Sequence, residues 1–235
     1  MNIVITGATK GIGKAIAEAF AEDKQGHTFF LCARDGEALQ LTGRELQGRF
    51  PRTNIFIKTC DVSDKESVKE FGAWVLDHTE KIDVLVNNAG LFLPGSVESE
   101  EDGVLEKMIA VNLYGTYQLT RLLLPAMKQQ QSGHIFNLCS IASVQAYANG
   151  GAYSISKFAV YGMTQNLRQE LKPMGIKVTA VIPGAVLTDS WQGFDNSNRR
   201  IMEASDIARM VYTTAHLSPQ ACVEEIVIRP QLGDL

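Results

Sequence analysis

A tyrosine and a lysine stand four residues apart in the segment YSISK, residues 153–157. On a helix, positions i and i+4 share one face, so the phenol of Tyr153 and the ammonium of Lys157 would be neighbours. A free phenol has a pKa of about 10, and a cation within about 4–6 Å stabilises its phenolate. The pair therefore suits proton transfer near neutral pH, although an ordinary helix surface can show the same spacing.

Glycines mark a second chemical motif in TGATKGIG, residues 6–13. Gly7, Gly11 and Gly13 let the backbone turn tightly and let a ligand approach it closely. The motif follows a strand-like segment and precedes a helical one, whose N-terminus offers unpaired N–H groups and a positive dipole end. This context predicts a pyrophosphate site, with a plain tight turn as the alternative.

Short apolar segments alternate with helical patterns along the chain. Strands that are apolar nearly throughout are typical of sheets covered on both faces, and strand–helix alternation gives parallel strands with right-handed crossovers. The predicted fold is α/β: a doubly wound, Rossmann-type sheet of seven parallel strands, flanked by helices on both faces. Neither a linker nor a repeat divides the sequence, so residues 1–235 are predicted to form one domain.

The bounds of these elements follow from the apolar periods and from capping residues. Ser63, with Glu66 three residues later, predicts a capping box, and Ser205 predicts the cap of the last helix. The predicted strands cover residues 2–6, 27–33, 54–60, 83–87, 133–140, 176–183 and 224–230. The predicted helices include residues 11–23, 35–50, 153–171 and 206–216, with a long helix that ends near residue 130.

Composition excludes several classes of protein. The net charge of -4 gives no general basic field for nucleic acid or for an anionic membrane. No apolar run reaches about 18 residues, so no membrane span is predicted. The four cysteines are scattered and the four histidines isolated, so neither a disulfide framework nor a metal site is expected. The first residues, MNIVITG, lack the basic region of a signal peptide, which favours a reduced cytoplasmic location.

The order of motifs resembles that of the short-chain dehydrogenases/reductases. TGxxxGxG, then NNAG at 87–90, Ser140 and YxxxK at 153–157 recur in family order over nearly the whole chain. The length suits the shorter, single-domain branch, and ARDGEAL and EEIVIRP resemble its sepiapterin-reductase-like and carbonyl-reductase members. The resemblance implies an NADP(H)-dependent oxidoreductase that interconverts a small-molecule carbonyl and an alcohol. A 3-oxoacyl-carrier-protein reductase and a non-catalytic dinucleotide sensor are the alternatives.

The resemblance also implies a catalytic tetrad of Asn112, Ser140, Tyr153 and Lys157. Tyr153 is the implied general acid and base, and Lys157 lowers its pKa and binds the nicotinamide ribose. Ser140 orients the substrate oxygen, and Asn112 holds a water that links Lys157 to solvent. In this family the helices that carry Asn112 and Tyr153 pair two subunits, so a homodimer or homotetramer is expected.

The cofactor preference depends on the end of the second strand. Folds that prefer NAD usually place an acidic residue there to bind the ribose 2′-hydroxyl. That position is Ala33, followed by Arg34, and Lys10 in the glycine turn is a second cation. Two cations without an acid suit a 2′-phosphate, so NADP(H) is predicted over NAD(H). A solvated loop arginine is the alternative interpretation of Arg34.

Further cofactor contacts are implied by the resemblance. Asp61 would contact the adenine edge with support from the Val62 backbone, and an aspartate of a helix-entry turn is the competing interpretation. Asn87 would mainly hold the central sheet, the Val186 backbone would bind the carboxamide, and Thr188 would bind the carboxamide or the pyrophosphate. The full predicted set is Gly7, Thr9, Lys10, Gly11, Ile12, Gly13, Arg34, Asp61, Val62, Asn88, Ala89, Gly90, Tyr153, Lys157, Pro183, Gly184, Val186 and Thr188.

Substrate specificity in this family lies between the sixth strand and the last helix. Residues 189–204 are short and polar here, which predicts an open cleft for a small or medium carbonyl compound. Trp191 and Phe194 are candidate substrate contacts, and either could equally serve packing. Further candidates are Leu91, Phe92, Ala142, Tyr147 and Ala185.

Overall fold

Seven parallel strands form one sheet in the computed structural model, which describes residues 1–188, 191 and 193–233. The strands are β1 (Asn2–Thr6), β2 (Thr28–Ala33), β3 (Asn54–Thr59), β4 (Val84–Asn87), β5 (Gly133–Leu138), β6 (Ile176–Pro183) and β7 (Glu225–Ile228). Their order across the sheet is β3-β2-β1-β4-β5-β6-β7. The direction of winding reverses between β1 and β4, and ligands of such sheets bind at the carboxyl ends of the strands beside this switch.

Helices cover both faces of the sheet, which confirms the predicted fold class. They are α1 (Gly11–Ala21), α2 (Gly36–Arg49), α3 (Lys65–His78), α4 (Val104–Ile109), α5 (Gly115–Gln130), α6 (Gly151–Leu171) and α7 (Ala204–Ala215). Apolar residues of α1, α2 and α7 pack on one face, and those of α3 and α5 pack on the other. The long helix predicted to end near residue 130 is divided into α4 and α5 by a π-helical turn, Ala110–Tyr114.

Both predicted serine caps are wrong. At α3, the Asp61 carboxylate accepts hydrogen bonds from the Ser63 N–H at 2.9 Å and from its hydroxyl at 2.7 Å, so Asp64 caps the helix instead. At α7, the helix begins one residue before Ser205, which places that serine in the first turn and makes Glu203 the N-cap. In each case an aspartate accepts near the helix N-terminus: Asp64 from the Glu66 N–H at 2.9 Å, and Asp206 from the Glu203 N–H at 3.1 Å.

Buried amides join the central strands to the helices above them. The Asn87 amide donates to Asn137 Oδ1 at 2.8 Å and to the Thr120 hydroxyl at 3.0 Å. The Asn137 amide donates in turn to the Thr164 hydroxyl on α6 at 2.9 Å. These bonds confirm that Asn87 holds the centre of the sheet, because they link β4, β5, α5 and α6.

A helix must be both long and apolar to cross a membrane. Within the described residues, no helix is both long enough and apolar enough to cross a bilayer.

A buried histidine in β5 predicts acid sensitivity. The His134 ring lies 2.7 Å from the Thr179 hydroxyl, and burial, aided by the Lys177 charge, lowers the imidazole pKa from 6.5 to about 3. Between these values the unfolded chain binds a proton that the folded chain does not, so stability should fall as the pH falls from 6.5 towards 3. His134→Gln should flatten this part of the curve of unfolding free energy against pH.

Urea unfolding at several pH values measures this effect. His78→Gln, which replaces an exposed histidine, is the control and should keep the slope of the unmodified protein. Equal slopes for His134→Gln and the unmodified protein would contradict the assignment of acid sensitivity to His134.

Candidate active site

A cleft of about 1200 Å³ opens at the carboxyl ends of the strands, beside the switch between β1 and β4. Pockets for drug-sized ligands measure roughly 300–1000 Å³, so this cleft has room for a dinucleotide together with a small substrate. The predicted cofactor residues line it, except for Gly13 and Asp61. The cleft also reaches Ser140, so the two predicted sites are one continuous space.

Gly13 and Asp61, the two predicted residues outside the cleft lining, have structural roles. A Cβ on Gly13 would overlap the Gly7 carbonyl oxygen and lie 2.5 Å from Asn88 Nδ2, so this glycine permits α1 to pack closely against the turn. Burial opposes ionisation of Asp61, but the hydrogen bonds from Ser63 and the charge of Arg34 lower its pKa. The interpretation of Asp61 as a helix-entry aspartate therefore fits its contacts.

The N-terminus of α1 meets the requirements of a phosphate group. Gly7 and Gly11 have φ angles of 66° and 54°, the left-handed region that glycine adopts without strain. Among the described residues, no side chain caps α1, and its first turn carries no acid. Its N–H groups and positive dipole end therefore remain available to an anion, and Gly11 and Ile12 place them on the cleft wall.

Asn88 supports the glycine turn from the next strand. Its amide donates to the carbonyls of Thr6 at 2.9 Å and Gly7 at 3.0 Å. The Thr6 hydroxyl accepts in return from the backbone N–H groups of Asn88 and Ala89, at 3.0 and 2.9 Å. Asn88 lines the cleft as predicted, and its side chain shapes the turn through these bonds.

The adenosine end of the cleft carries the predicted cations. Lys10 and Arg34 line it together with Ala33, which leaves the usual acidic position without a carboxylate. Asp35 also lines this end, but its carboxylate accepts from the Ala38 N–H at 3.0 Å as the N-cap of α2. The residues present therefore fit a dinucleotide with an additional phosphate on the adenosine ribose.

The structure brings the predicted tetrad together at the other end. Tyr153 lies in the first turn of α6, and the Ser140 hydroxyl, just beyond β5, is near enough to its phenol to lower the phenol pKa. Lys157, one turn further along α6, places Nζ 5.8 Å from the centroid of the Tyr153 ring. The same Nζ donates to the Leu138 carbonyl at 2.7 Å, so the lysine is anchored on β5.

The protonation of this group differs from the sequence-based expectation. Burial raises the pKa of Tyr153, and the nearby Ser140 hydroxyl lowers it by a smaller amount. Burial also lowers the pKa of Lys157 to about 8. In each group, desolvation therefore outweighs the contacts that favour its charged form.

Asn112 lies in the π-helical turn, and backbone irregularities of this kind often occur at functional sites. Its Oδ1 accepts from the Leu91 N–H at 2.7 Å, and its Nδ2 donates to the Leu91 carbonyl at 3.0 Å and to the Ser156 hydroxyl at 2.8 Å. A Cβ on Gly90 would lie 3.4 Å from Asn112 Oδ1 and 3.6 Å from Lys157 Nζ, so both groups converge on this glycine. The water-holding role of Asn112 stays a prediction.

Aromatic side chains dominate the wall of the cleft around Tyr153. Phe92 contacts Tyr153 edge-on, with 4.8 Å between the ring centroids. Two predicted substrate contacts, Ala142 and Phe194, do not line the cleft. Ala142 is fully buried, and Phe194 packs edge-on against Trp191 with 5.4 Å between the ring centroids. The predicted substrate contacts that do line the cleft are Leu91, Phe92, Tyr147, Ala185 and Trp191.

Backbone bonds join the two ends of the segment in which substrate specificity is expected. Met202 pairs with Val186, accepts from the Leu187 N–H at 2.8 Å and donates to the Ala185 carbonyl at 3.1 Å. Residues 189, 190 and 192 of this segment lie outside the described residues.

Sequence reasoning missed two polar groups of the cleft. Gln145 and Arg229 both line it, and Arg229 Nη2 donates to Gln145 Oε1 at 3.3 Å across 84 positions of sequence. Arg229 directly follows β7. Because the carboxyl ends of parallel strands meet at one edge of a sheet, that position was a usable signal.

Sequence reasoning also missed a convergence of histidines away from the cleft. Asp23, His27 and His216 place potential metal-binding atoms within 4.8 Å of one another. These atoms are engaged within the protein: Asp23 Oδ2 lies 2.8 Å from His27 Nε2 and accepts from the Tyr212 hydroxyl at 3.3 Å. Although burial opposes ionisation of Asp23, the Gln25 N–H, which donates to Oδ1 at 2.8 Å, lowers its pKa together with His27 and Tyr212. We interpret the cluster as a polar contact between the α1–β2 connection and the C-terminal end of α7.

Comparisons with known proteins agree with this geometry. A family model described as short chain dehydrogenase matches residues 1–199. A sepiapterin reductase of Chlorobaculum tepidum is 33% identical over 239 residues, which cover 99% of this chain and 97% of that protein.

Two solved structures extend the comparison. A metagenomic short-chain oxidoreductase in complex with NADP has a TM-score of 0.85 and 32% identity, covering 98% of this chain and 97% of that one. An alcohol dehydrogenase from the archaeon Thermococcus sibiricus, complexed with 5-hydroxy-NADP, has a TM-score of 0.89 and 30% identity, covering 98% and 96% of the two chains.

The tight packing at Gly13 predicts a large effect of one added methyl group. Gly13→Ala should displace the glycine turn, lower the unfolding free energy by about 1–3 kcal/mol, and weaken dinucleotide binding. Calorimetry and a fluorescence titration with NADPH measure the two effects. Gly48→Ala is the control, because a Cβ there meets nothing within 4 Å. Unchanged NADPH affinity in a folded Gly13→Ala protein would contradict this role of the turn.

Proposed function

This chain is an oxidoreductase of the short-chain dehydrogenase family, and we propose that it interconverts a small carbonyl compound and its alcohol with NADP(H). The observation that carries the proposal is the convergence of Ser140, Tyr153 and Lys157 on the cleft that the glycine turn also lines. An acid–base group and a phosphate-binding turn in one space suit hydride transfer coupled to proton transfer.

The proposed preference for NADP(H) is supported by charge. Lys10 and Arg34 line the adenosine end, Ala33 takes the usual acidic position, and Asp35 is engaged as a helix cap. The metagenomic oxidoreductase binds NADP and the Thermococcus sibiricus alcohol dehydrogenase binds 5-hydroxy-NADP, each at 30% identity or more.

In the proposed reaction, the bound nicotinamide supplies the hydride, and the chain itself handles the proton. Tyr153 donates its phenolic proton to the carbonyl oxygen during reduction and takes it back during oxidation. Because burial raises its pKa, the phenol is protonated at neutral pH and ready to donate. The Ser140 hydroxyl, beside the phenol on the cleft wall, would orient the substrate oxygen.

Lys157 is proposed to stabilise the phenolate that remains after proton donation. With a pKa of about 8, its ammonium is largely charged at neutral pH. The new negative charge on Tyr153, 5.8 Å away at the ring centroid, would be attracted to it. By the family pattern Lys157 would also bind the nicotinamide ribose.

The proposed substrate is a small or medium carbonyl compound. Phe92, Tyr147 and Trp191 give the cleft an aromatic wall, and residues 189–204 are too few to form a large lid. The relatives described above are small-molecule oxidoreductases by name, so a carrier-protein substrate receives no support from them. NADPH oxidation across ketones, diketones, pterins and 3-oxoacyl thioesters distinguishes these substrate classes.

We propose a homodimer or homotetramer that pairs through the helices flanking the active site. Tyr114, Tyr117, Ile155 and Phe158 are each at least 44% exposed on these helices, an apolar surface that a second subunit would cover.

The cysteines of the described chain are free thiols, in keeping with the proposed cytoplasmic location.

The cofactor proposal predicts that Arg34→Asp inverts the preference for NADPH over NADH. A charge-assisted hydrogen bond contributes about 1.5–3 kcal/mol, or roughly ten- to a hundredfold in affinity. Arg44→Asp makes the same charge change on the exposed side of α2, outside the cleft lining, and should leave the ratio of the two Kd values unchanged. Equal Kd values for NADPH and NADH in the unmodified protein would refute the preference.

The proton-transfer proposal predicts that Tyr153→Phe keeps NADPH affinity and loses turnover. The substitution removes only the hydroxyl, and general acid catalysis contributes about 10²–10⁴-fold. Tyr161→Phe is the control, because that phenol lies on the same helix and donates to Glu225 at 2.5 Å, outside the cleft lining. Nearly full turnover of a competent substrate by Tyr153→Phe would exclude the catalytic role.

Lys157→Ala distinguishes chemistry from packing in the same assay. We expect it to weaken NADPH binding as well as turnover, because the lysine serves both. In the oxidation direction, its pH–rate profile should move to higher pH, since the phenolate loses its cation.

A further inference from the structure

The helix that carries Tyr153 begins without a capping side chain of its own. Its N-cap residue is Gly150, which has no side chain, and the first turn, from Gly151 to Ser154, contains no acidic residue. Helix N-terminal N–H groups need acceptors, and a negative charge near them is stabilising. Tyr153 is the third residue of α6, so whatever satisfies this terminus also bears on the position of the phenol.

Glu100 supplies the missing acceptor from a distant part of the chain. Its Oε1 and Oε2 accept from the Ala152 N–H at 2.9 and 3.2 Å, although 52 positions separate the two residues. The Glu100 backbone is itself held, because its N–H donates to the Ser96 carbonyl at 2.9 Å. The carboxylate thus reaches the turn of helix immediately before Tyr153.

Two glycines make room for this carboxylate. A Cβ on Gly151 would overlap Glu100 Oε1 and lie 2.6 Å from the Gly95 carbonyl oxygen. A Cβ on Gly95 would lie 2.6 Å from Glu100 Cγ. Glycine on both sides of one carboxylate marks a close approach that larger residues would prevent.

The contact joins two walls of the substrate end of the cleft. One wall is the segment after β4, which contains Phe92, and the other is the segment that leads into α6 through Tyr147. The Gly95 N–H donates to the Asn149 carbonyl at 3.1 Å, which adds a second link between the walls. Phe92 then meets Tyr153 edge-on at 4.8 Å.

We propose that Glu100 is a positioning residue of the active site. By capping α6, its carboxylate holds the phenol of Tyr153 in line with Ser140 and keeps Phe92 against it. The expected effect on turnover rests on the proposed function. The cap itself rests only on the hydrogen bonds from the Ala152 N–H to Glu100. The effect depends on the reach of the side chain, because Ala152 is the group it must touch.

Three substitutions separate reach from charge. Glu100→Gln keeps the length and an acceptor oxygen, Glu100→Asp keeps the charge and loses one methylene of reach, and Glu100→Ala loses both. We expect Glu100→Ala and Glu100→Asp to lower kcat about tenfold or more, because displacements near 1 Å at a reacting group are costly. Glu100→Gln should keep kcat within about threefold, and all three should keep the Kd for NADPH. Glu101→Ala, an exposed neighbour, is the control.

Amide hydrogen exchange across residues 151–154 tests the cap without turnover. Loss of an N-cap contact should speed exchange there by about threefold or more in Glu100→Ala, and Glu100→Gln should restore protection. Unchanged exchange in Glu100→Ala would refute the cap. Faster exchange with unchanged kcat and KM would refute the positioning role while the proposed function stands. An unmodified protein that binds NADPH and reduces no carbonyl compound would refute the proposed function, and with it the positioning role.

Discussion

The hydrogen bond between the buried amides of Asn87 and Asn137, 2.8 Å long, is the contact on which the geometry of the site depends. It joins β4 to β5, and the Asn137 amide continues to the Thr164 hydroxyl on α6. An amide N–H left without its acceptor in this core would cost about 1–3 kcal/mol, so these bonds favour the observed placement of the two strands and the helix. Tyr153 lies on that helix, so these two buried hydrogen bonds help to set its distance from the end of β5.

Desolvation decides the resting protonation of the site. The phenol of Tyr153 and the ammonium of Lys157 are close enough to attract each other, yet burial raises the pKa of the first and lowers that of the second to about 8. The buried Cys139 thiol, whose own pKa is raised to about 11, is uncharged near neutral pH and offers Lys157 no counter-ion. A neutral phenol beside a lysine that is largely protonated at neutral pH is suited to giving a proton away, and the attraction between the two becomes strong only once the phenolate exists.

The cofactor end of the cleft differs from the buried catalytic end, because it depends on backbone conformation and on exposed charged side chains. Positive φ angles at Gly7 and Gly11 aim the chain into the start of α1, and Gly13 lets that helix approach the strand ends. The bonds from Asn88 to the turn make this arrangement rigid. Lys10 and Arg34 remain near solvent, where their charges cost little to keep and can select an additional phosphate.

The sequence by itself determined three features: the alternation of strands and helices along the chain, the glycine turn, and the spacing of Tyr153 and Lys157. All three depend on local backbone preference and on helix periodicity. The exact agreement of β1 and β6 with their predicted bounds has that origin. Helix caps were less predictable, as Ser63 shows, since neighbouring acids compete for the same N–H groups. Only the tertiary structure decided which distant groups meet: Glu100 with Ala152 across 52 positions, and Arg229 with Gln145 across 84. Such contacts follow from how crossovers place loops at one edge of the sheet, and no local pattern encodes the distance between two loops.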